Sequence, residues 1–272
     1  SEKTPLSTLK IAEYLKEAGL PDGVFQILNG SQEAVEAICD HPDIKAVAFV
    51  GSSKVAKIVY TRTTAQGKRA LCLGGAKNHM IVVPDADLDS TAKGLLASSM
   101  GSAGQRCMAA SVAVGVANVD PIINQLIEEA NKFVLGLDMG TIISKSAFDR
   151  IKGYIDEAEN MGAKVLVDGR NPVPPAGYEN GYWLGPTILD GVDPDWPCAK
   201  EEIFGPVLSI IPFEKEEEAI KIVNDTSYGL GNYLQTENKE KAHRVAKELR
   251  SGCVYINGKG CLLYTSDAAA EG

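Results

Sequence analysis

The chain has 272 residues, of which 44% are hydrophobic and 23% are charged, and its net charge is -9. This composition is that of a globular protein with room for a large core or two domains, and it excludes a disordered chain. The acidic balance argues against nucleic acid as a partner, because phosphates require a basic face. No apolar run reaches the ~18 residues of a membrane span, and we expect no secretory signal.

Cysteine and histidine are too dispersed to form a framework. Six cysteines stand at positions 39, 72, 107, 198, 253 and 261, without a C-x-x-C pair. This spacing indicates a reducing compartment, not a disulfide scaffold. The three histidines are widely separated, so no metal site is expected.

Strand and helix signals alternate along the chain, which is the pattern of a parallel sheet with helices on its faces. The first part predicts a helix at 5–18, a buried strand at 24–28, a helix capped by Ser31, a strand at 46–50, a helix at 54–64 and a strand at 68–73. A strand that enters a helix through Gly51, Ser52 and Ser53 can place a pyrophosphate on helix N–H groups. Taken alone, this spacing fits simple strand-turn-helix packing better, because it is not G-x-G-x-x-G.

The remaining pattern continues the alternation. It predicts strands at 80–83, 112–116, 164–167, 208–213, 232–236 and 253–257, and helices at 87–100, 121–133, 144–161, 216–224 and 238–249. Residues 168–186, rich in proline and glycine, are predicted to be a loop. We place a domain boundary near residue 72, with part of a cofactor domain at 1–72, a catalytic domain at 73–257 and a tail at 258–272.

Cys107 stands in the run GSAGQRCM, residues 101–108, directly after Arg106. Backbone N–H groups of a glycine-rich bend and a neighbouring cation both favour the thiolate, which is the attacking form of cysteine. A lone cysteine is more often a buried structural residue. The motifs on either side of this one favour a nucleophile.

Those motifs are CLGGAKNH at 72–79 and EEIFGPV at 201–207, with FVGSS at 49–53, YGL at 228–230 and SGCVYIN at 251–257. In this order they resemble the aldehyde dehydrogenase superfamily, over residues 1 to about 257. The resemblance implies an α/β fold, with a partial Rossmann-type cofactor domain followed by an α/β catalytic domain. It implies that Cys107 attacks an aldehyde and that NAD is bound. The implied NAD-binding residues are Glu2, Gly51, Ser52, Leu73, Gly74, Glu202 and Phe204.

The run GAKNHMIVVPDAD at 75–87 is most similar to the CoA-acylating branch, of the methylmalonate-semialdehyde type. Hydrolytic members carry a glutamate general base one residue before L-G-G-K. Here that position holds Cys72, or Leu73 if the extra residue is placed earlier, and neither can take a proton from water. The resemblance therefore implies oxidation of a carboxylated semialdehyde to an acyl-CoA, with CoA as co-substrate and loss of the carboxylate as carbon dioxide or bicarbonate.

Several assignments stay open at this level. Arg106 resembles the arginine that grips the substrate carboxylate, while a surface arginine before a turn is an equal alternative. Lys77 and His79 are typical of the CoA-acylating branch, but no catalytic role follows for them; packing or solvent contact is the simple interpretation. Hydrolytic aldehyde oxidation, a thiol that senses oxidation and a catalytically incompetent fragment are the alternative functions. The family implies a homodimer or homotetramer at full length, in the cytoplasm or, in a eukaryote, the mitochondrial matrix.

Both ends of the sequence suggest a fragment. The family's cofactor domain and its oxyanion asparagine begin upstream of Ser1, and residues 261–272 have no counterpart in the family and resemble translated vector or adapter sequence. We expect the first strands of the cofactor sheet to be missing, so that the helices at 5–18 and 54–64 expose apolar faces. The polypeptide alone is expected to be poorly soluble and inactive.

Overall fold

The computed structural model describes residues 2–258, so the predicted tail lies outside the described residues from position 259 onward. The described chain divides after Gly75 into two compact units. Unit 1 is residues 2–75 and unit 2 is residues 76–258.

Unit 1 contains a two-stranded parallel sheet and helices, within the described range. In chain order the elements are α1 (Leu6–Glu17), α2 (Gln32–Asp40), β1 (Ala46–Val50), α3 (Ser53–Ala65) and β2 (Arg69–Leu73). Val50 pairs with Leu73, so both strands end at the same edge. Ser31 occupies the N-cap position of α2, as predicted, but its side chain makes no capping hydrogen bond.

One face of this small sheet is apolar and exposed. Val50 and Leu71 are 67% and 62% exposed, while the alternate residues, such as Phe49 and Cys72, are half-buried. Helix α1 has no buried residue, and Leu6 is 78% exposed. The expectation that the helices of this unit expose apolar side chains is therefore confirmed in the structure.

The predicted strand at residues 24–28 is wrong. This segment has no regular secondary structure, and its apolar side chains Val24, Phe25 and Leu28 are exposed. An extended segment becomes a strand only when its N–H and C=O groups pair with a neighbour. Within the described residues, the sheet of unit 1 consists of β1 and β2 alone.

Unit 2 is built on a seven-stranded sheet, counted over the described residues. Its strands are β3 (Asn78–Val82), β4 (Ala110–Val116), β5 (Lys164–Val167), β6 (Thr187–Asp190), β7 (Val207–Phe213), β8 (Gly231–Gln235) and β9 (Cys253–Ile256). Its helices are α4 (Leu88–Met100), α5 (Asp120–Ala130), α6 (Lys145–Met161), α7 (Pro197–Lys200), α8 (Glu216–Asn224) and α9 (Lys239–Glu248). The strand order is β5-β6-β7-β4-β3-β8-β9.

The middle of this sheet forms the core. All pairs are parallel except β5 with β6, and every residue of β3 and β8 is buried. Burial on both faces is typical of parallel sheets covered by helices. The predicted alternation is therefore confirmed here, and the loop at 168–186 has neither helix nor strand. The sequence patterns missed β6 and the short α7.

Candidate active site

The turn that carries Cys107 follows helix α4 with an unusual backbone. Residues Gly101–Gly104 form a 3-10 turn in which Ser102, Ala103 and Gly104 have φ values of 52°, 54° and 67°. Only glycine adopts the left-handed region without strain, so two non-glycine residues here store conformational energy. Cys107 comes next to this turn, half-buried, just before β4 begins.

Buried side chains bind the main-chain carbonyls of residues 107–109, the predicted nucleophile segment. The Asn78 amide Nδ2 donates to the Cys107 carbonyl at 2.7 Å and to the Ala109 carbonyl at 3.0 Å. Between them, the Tyr233 hydroxyl donates to the Met108 carbonyl at 2.7 Å. Three consecutive main-chain carbonyls, starting with that of Cys107, are thus held from strands β3 and β8.

The two residues before Cys107 contact different neighbours. Gln105 Nε2 donates to the Thr141 carbonyl at 3.2 Å, and its Oε1 accepts from Ile143 N–H at 2.9 Å. Arg106 donates from Nη1 to the Ala97 carbonyl, 3.4 Å away in the last turn of α4. A cation at a helix C-terminus is favourable, because the exposed carbonyls there carry partial negative charge. Arg106 is half-buried.

The turn before Cys107 and the loop with Glu202 are in direct backbone contact. A Cβ placed on Gly104 would lie 1.9 Å from the Gly205 carbonyl oxygen. No side chain fits between two main chains at that distance. The structure therefore brings the GSAGQRC and EEIFG runs together within unit 2.

We expect Gly104→Ala to destabilise the chain far more than Gly191→Ala. Both glycines have φ of 67°, but a Cβ on Gly191 meets nothing within 4 Å. The control should cost about 1 kcal/mol for the left-handed conformation. The Gly104 variant should cost roughly 3 kcal/mol or more, because a backbone clash is added. Urea unfolding measures both, and equal losses would contradict the close contact.

Glu202 contacts the main chain of Ala76, within unit 2. Its Oε1 accepts a hydrogen bond from Ala76 N–H at 3.1 Å. Burial raises the pKa of this half-buried carboxyl, against the opposing effects of the Ala76 N–H and the Lys77 ammonium. A carboxylate that is only partly compensated in this way is suited to accept hydroxyl donors from a ligand.

The loop around Glu202 is anchored from helix α6. Arg150 Nη1 donates to the Ile203 carbonyl at 2.7 Å, and the Tyr154 hydroxyl donates to the Glu201 carboxylate. Phe204 is 38% exposed and has φ of 53°, which re-aims the chain after Glu202. The loop is thus held in one geometry by contacts on both sides of Glu202.

Lys77 and His79 are both buried. The Lys77 ammonium donates to the Cys198 carbonyl at 2.8 Å, and burial lowers the pKa of Lys77 to about 8. Burial also lowers the pKa of His79 to about 3, and its Nδ1 has no hydrogen-bond partner. His79 is therefore neutral at physiological pH. Solvent contact, one of the simple roles for these residues, is excluded.

Four of the five predicted cofactor residues of unit 1, all except Glu2, lie at the ends of its two strands. Gly51 N–H donates to the Leu73 carbonyl at 3.2 Å, and Ser52 Oγ accepts from Val55 N–H at 3.4 Å as the N-cap of α3. A Cβ on Gly74 would lie 2.7 Å from Ser53 Oγ, so the two turns touch. Glycine backbone beside a helix N-terminus is a suitable place for a phosphate. Glu2 is exposed.

The other described cysteines vary in how deeply they are buried. Burial raises the pKa of the Cys72 thiol, with a smaller contribution from Cys39. Cys39 and Cys198 are buried, whereas Cys253 is exposed. No cluster of potential metal ligands occurs among residues 2–258. Over the same range, no helix has the length and apolar character that a membrane crossing needs.

Sequence patterns missed several residues that shape this site. Asn78, Gln105 and Arg150 each bind main-chain carbonyls near Cys107 or Glu202. The available signal for Asn78 was a polar residue two positions before the apolar run MIVV at 80–83. Arg150 lies on a helix among other charged residues, and nothing local distinguishes it.

Comparison with known proteins agrees with the motifs. The model of the aldehyde dehydrogenase family matches residues 1–266. The malonate-semialdehyde dehydrogenase of Pseudomonas aeruginosa is 42% identical over 94% of this chain and 53% of its own length. The mitochondrial acylating methylmalonate-semialdehyde dehydrogenase of Arabidopsis thaliana is 45% identical over 94% of this chain and 43% of its own length.

Solved structures show the same correspondence. A Sinorhizobium meliloti protein, described as a methylmalonate-semialdehyde dehydrogenase complexed with NAD, has a TM-score of 0.90 and 42% identity over 96% of this chain and 54% of its own. The methylmalonate-semialdehyde dehydrogenase of Oceanimonas doudoroffii gives 0.90 and 41% over 96% and 55%. The chain spans about half the length of these relatives. The resemblance of the motifs and the α/β fold are confirmed, and the chain belongs to the aldehyde dehydrogenase family.

Proposed function

We propose that this chain supplies the nucleophile and part of the cofactor site of an NAD-dependent semialdehyde dehydrogenase that acylates CoA. Its substrate is a carboxylated semialdehyde of the malonate or methylmalonate type. The observation that supports this most is the Gly104–Gly205 contact, which brings together the segments that carry Cys107 and Glu202. The similarity to acylating semialdehyde dehydrogenases supports the substrate class.

The residues present fit a bound NAD. Glu202 offers a half-buried carboxylate for ribose hydroxyls, and α3 begins beside the glycines at 51 and 74, where phosphate can meet main-chain N–H groups. When bound, NAD accepts the hydride from the substrate carbon.

The chemistry assigned to the chain centres on Cys107. Its thiolate adds to the aldehyde carbon, and after loss of hydride that carbon becomes a thioester carbonyl. The carboxylate leaves as carbon dioxide, or as bicarbonate when water supplies the third oxygen; its C–C bond breaks, and the remaining carbon keeps the electron pair and takes up a proton. The CoA thiolate attacks the thioester carbonyl and releases the Cys107 thiolate. Water competes poorly, because Cys72 and Leu73 offer no base and burial keeps the Cys72 thiol protonated.

A completed protein tests this proposal. It is made by joining this chain to the portion of the Pseudomonas aeruginosa relative that the chain does not match. We expect it to form NADH and an acetyl-type CoA thioester from malonate semialdehyde, with NAD and CoA both required. Absence of NADH formation in a folded, NAD-binding protein would contradict the proposed function.

Arg106→Lys should separate substrate recognition from chemistry in the completed protein. Because lysine cannot form the paired hydrogen bonds of a guanidinium, KM for malonate semialdehyde should rise about ten-fold or more. KM for propanal, which lacks the carboxylate, should change little. Steady-state kinetics on both aldehydes provide the measurement, and equal effects would limit Arg106 to its Ala97 contact.

A further inference from the structure

Asn78 has an unusual position for an amide. It is the first residue of β3, it is 2% exposed, and the pairing of β3 with β4 shifts register between Asn78 and His79. A register shift of this kind turns a side chain out of the normal alternation. Here the turned side chain points at the nucleophile segment.

The amide uses both its donors and its acceptor. Nδ2 donates to the carbonyls of Cys107 and Ala109, at 2.7 Å and 3.0 Å. Oδ1 accepts from Gly231 N–H at 3.2 Å, on β8. A buried amide with these three partners joins the nucleophile segment to two core strands, and removing it leaves buried groups without partners.

The hydrogen bonds of Asn78 hold the chain that follows the strained turn at 101–104. Ser102 and Ala103 are left-handed, and such residues persist only when their surroundings hold them. The Asn78 bonds lie on the other side of Cys107 from that turn. We infer that Asn78 is the positioning residue of the nucleophile, holding the main chain of Cys107 in the one conformation that presents its thiol. This inference rests on the proposed function only in naming Cys107 the nucleophile.

Asn232 provides a matched control. It is a buried amide on β8, and its Oδ1 accepts from His79 N–H at 3.2 Å, so it also joins β3 to β8. Among the described residues, the Asn232 side chain makes no hydrogen bond to residues 101–109. Loss of either amide should loosen the β3–β8 pair, but only loss of Asn78 releases the Cys107 segment.

The test measures the alkylation rate of Cys107 by iodoacetamide in the 272-residue chain, at submicromolar concentration and neutral pH. Trypsin cuts after Arg106 and Arg250, so mass spectrometry follows Cys107 and the exposed Cys253 on separate peptides. Asn78→Ala should accelerate alkylation of Cys107 about five-fold or more, because the half-buried thiol becomes accessible when its segment opens. Cys253 should change less than about two-fold.

The control decides the interpretation. Asn232→Ala should leave the Cys107 rate within about two-fold of the original chain. An unchanged Cys107 rate in Asn78→Ala, or equal acceleration in both variants, would overturn the assignment. If Asn78→Ala shows no cooperative urea transition, Asn78→Ser, which retains one hydroxyl for these partners, takes its place under the same criteria. Failure of the proposed function would instead appear as a completed protein without thiol-dependent NADH formation, which leaves these rates unaffected.

Discussion

Cys107→Ala in the completed protein should abolish NADH formation while NAD still binds. Without the sulfur no covalent adduct forms, so hydride has no donor, and the rate should fall on the order of 10³-fold or more. The Cys107 segment is held through main-chain carbonyls, which alanine retains. NAD affinity should therefore change less than about two-fold.

Stopped-flow absorbance measures the first burst of NADH, and fluorescence titration measures NAD binding. Cys253→Ala is the matched control, because that thiol is exposed and lies on β9. It should retain the full burst. A burst of unchanged amplitude in Cys107→Ala would remove this residue from the mechanism.

Turnover should depend on CoA. In its absence, the completed protein should form one equivalent of NADH per site and then slow by about 100-fold or more, because the thioester waits for a nucleophile. The physical reason is the absence of a base: Leu73 has no ionisable group, and burial raises the pKa of the Cys72 thiol. One of these two residues would have to act as the general base that a glutamate provides in hydrolytic relatives.

Hydroxylamine is the control for this experiment. Being a strong nucleophile at neutral pH, it should capture the acyl group and restore turnover in CoA-free buffer. Steady NADH formation at an equal rate without CoA or hydroxylamine would show that another group activates water, and the hydrolytic alternative would replace the acylating one.

The sequence predicted those elements whose signals are local. The strand at 46–50 and the helix at 216–224 match the structure residue for residue, because each has strong periodicity and clear end signals. The segment at 24–28 has the same apolar composition as a strand, but pairing is a non-local property. The four residues of β6 follow a proline-rich loop and are too short to show a period.

The site divides in the same way. Cys107 and Glu202 could be found because each sits in a run of small or aromatic residues with an ordered spacing to the next run. The bonds of Asn78 and Arg150 span 29 and 53 residues, and no window of local sequence contains both partners. The left-handed backbone of Ser102 and Ala103 has no signal in the sequence, since serine and alanine rarely adopt positive φ.

The Gly104–Gly205 contact packs the turn before Cys107 directly against the loop that carries Glu202. Side chains between two segments can accommodate a shift of one segment, because they can change rotamer. Here main chain presses on main chain, and Gly205 is backed in turn by Ile151 of α6, whose side chain lies 2.7 Å from where a Cβ would be. The turn before Cys107 and the loop of Glu202 therefore cannot move closer together, and a group bound at Cys107 has to fit the space that this contact leaves.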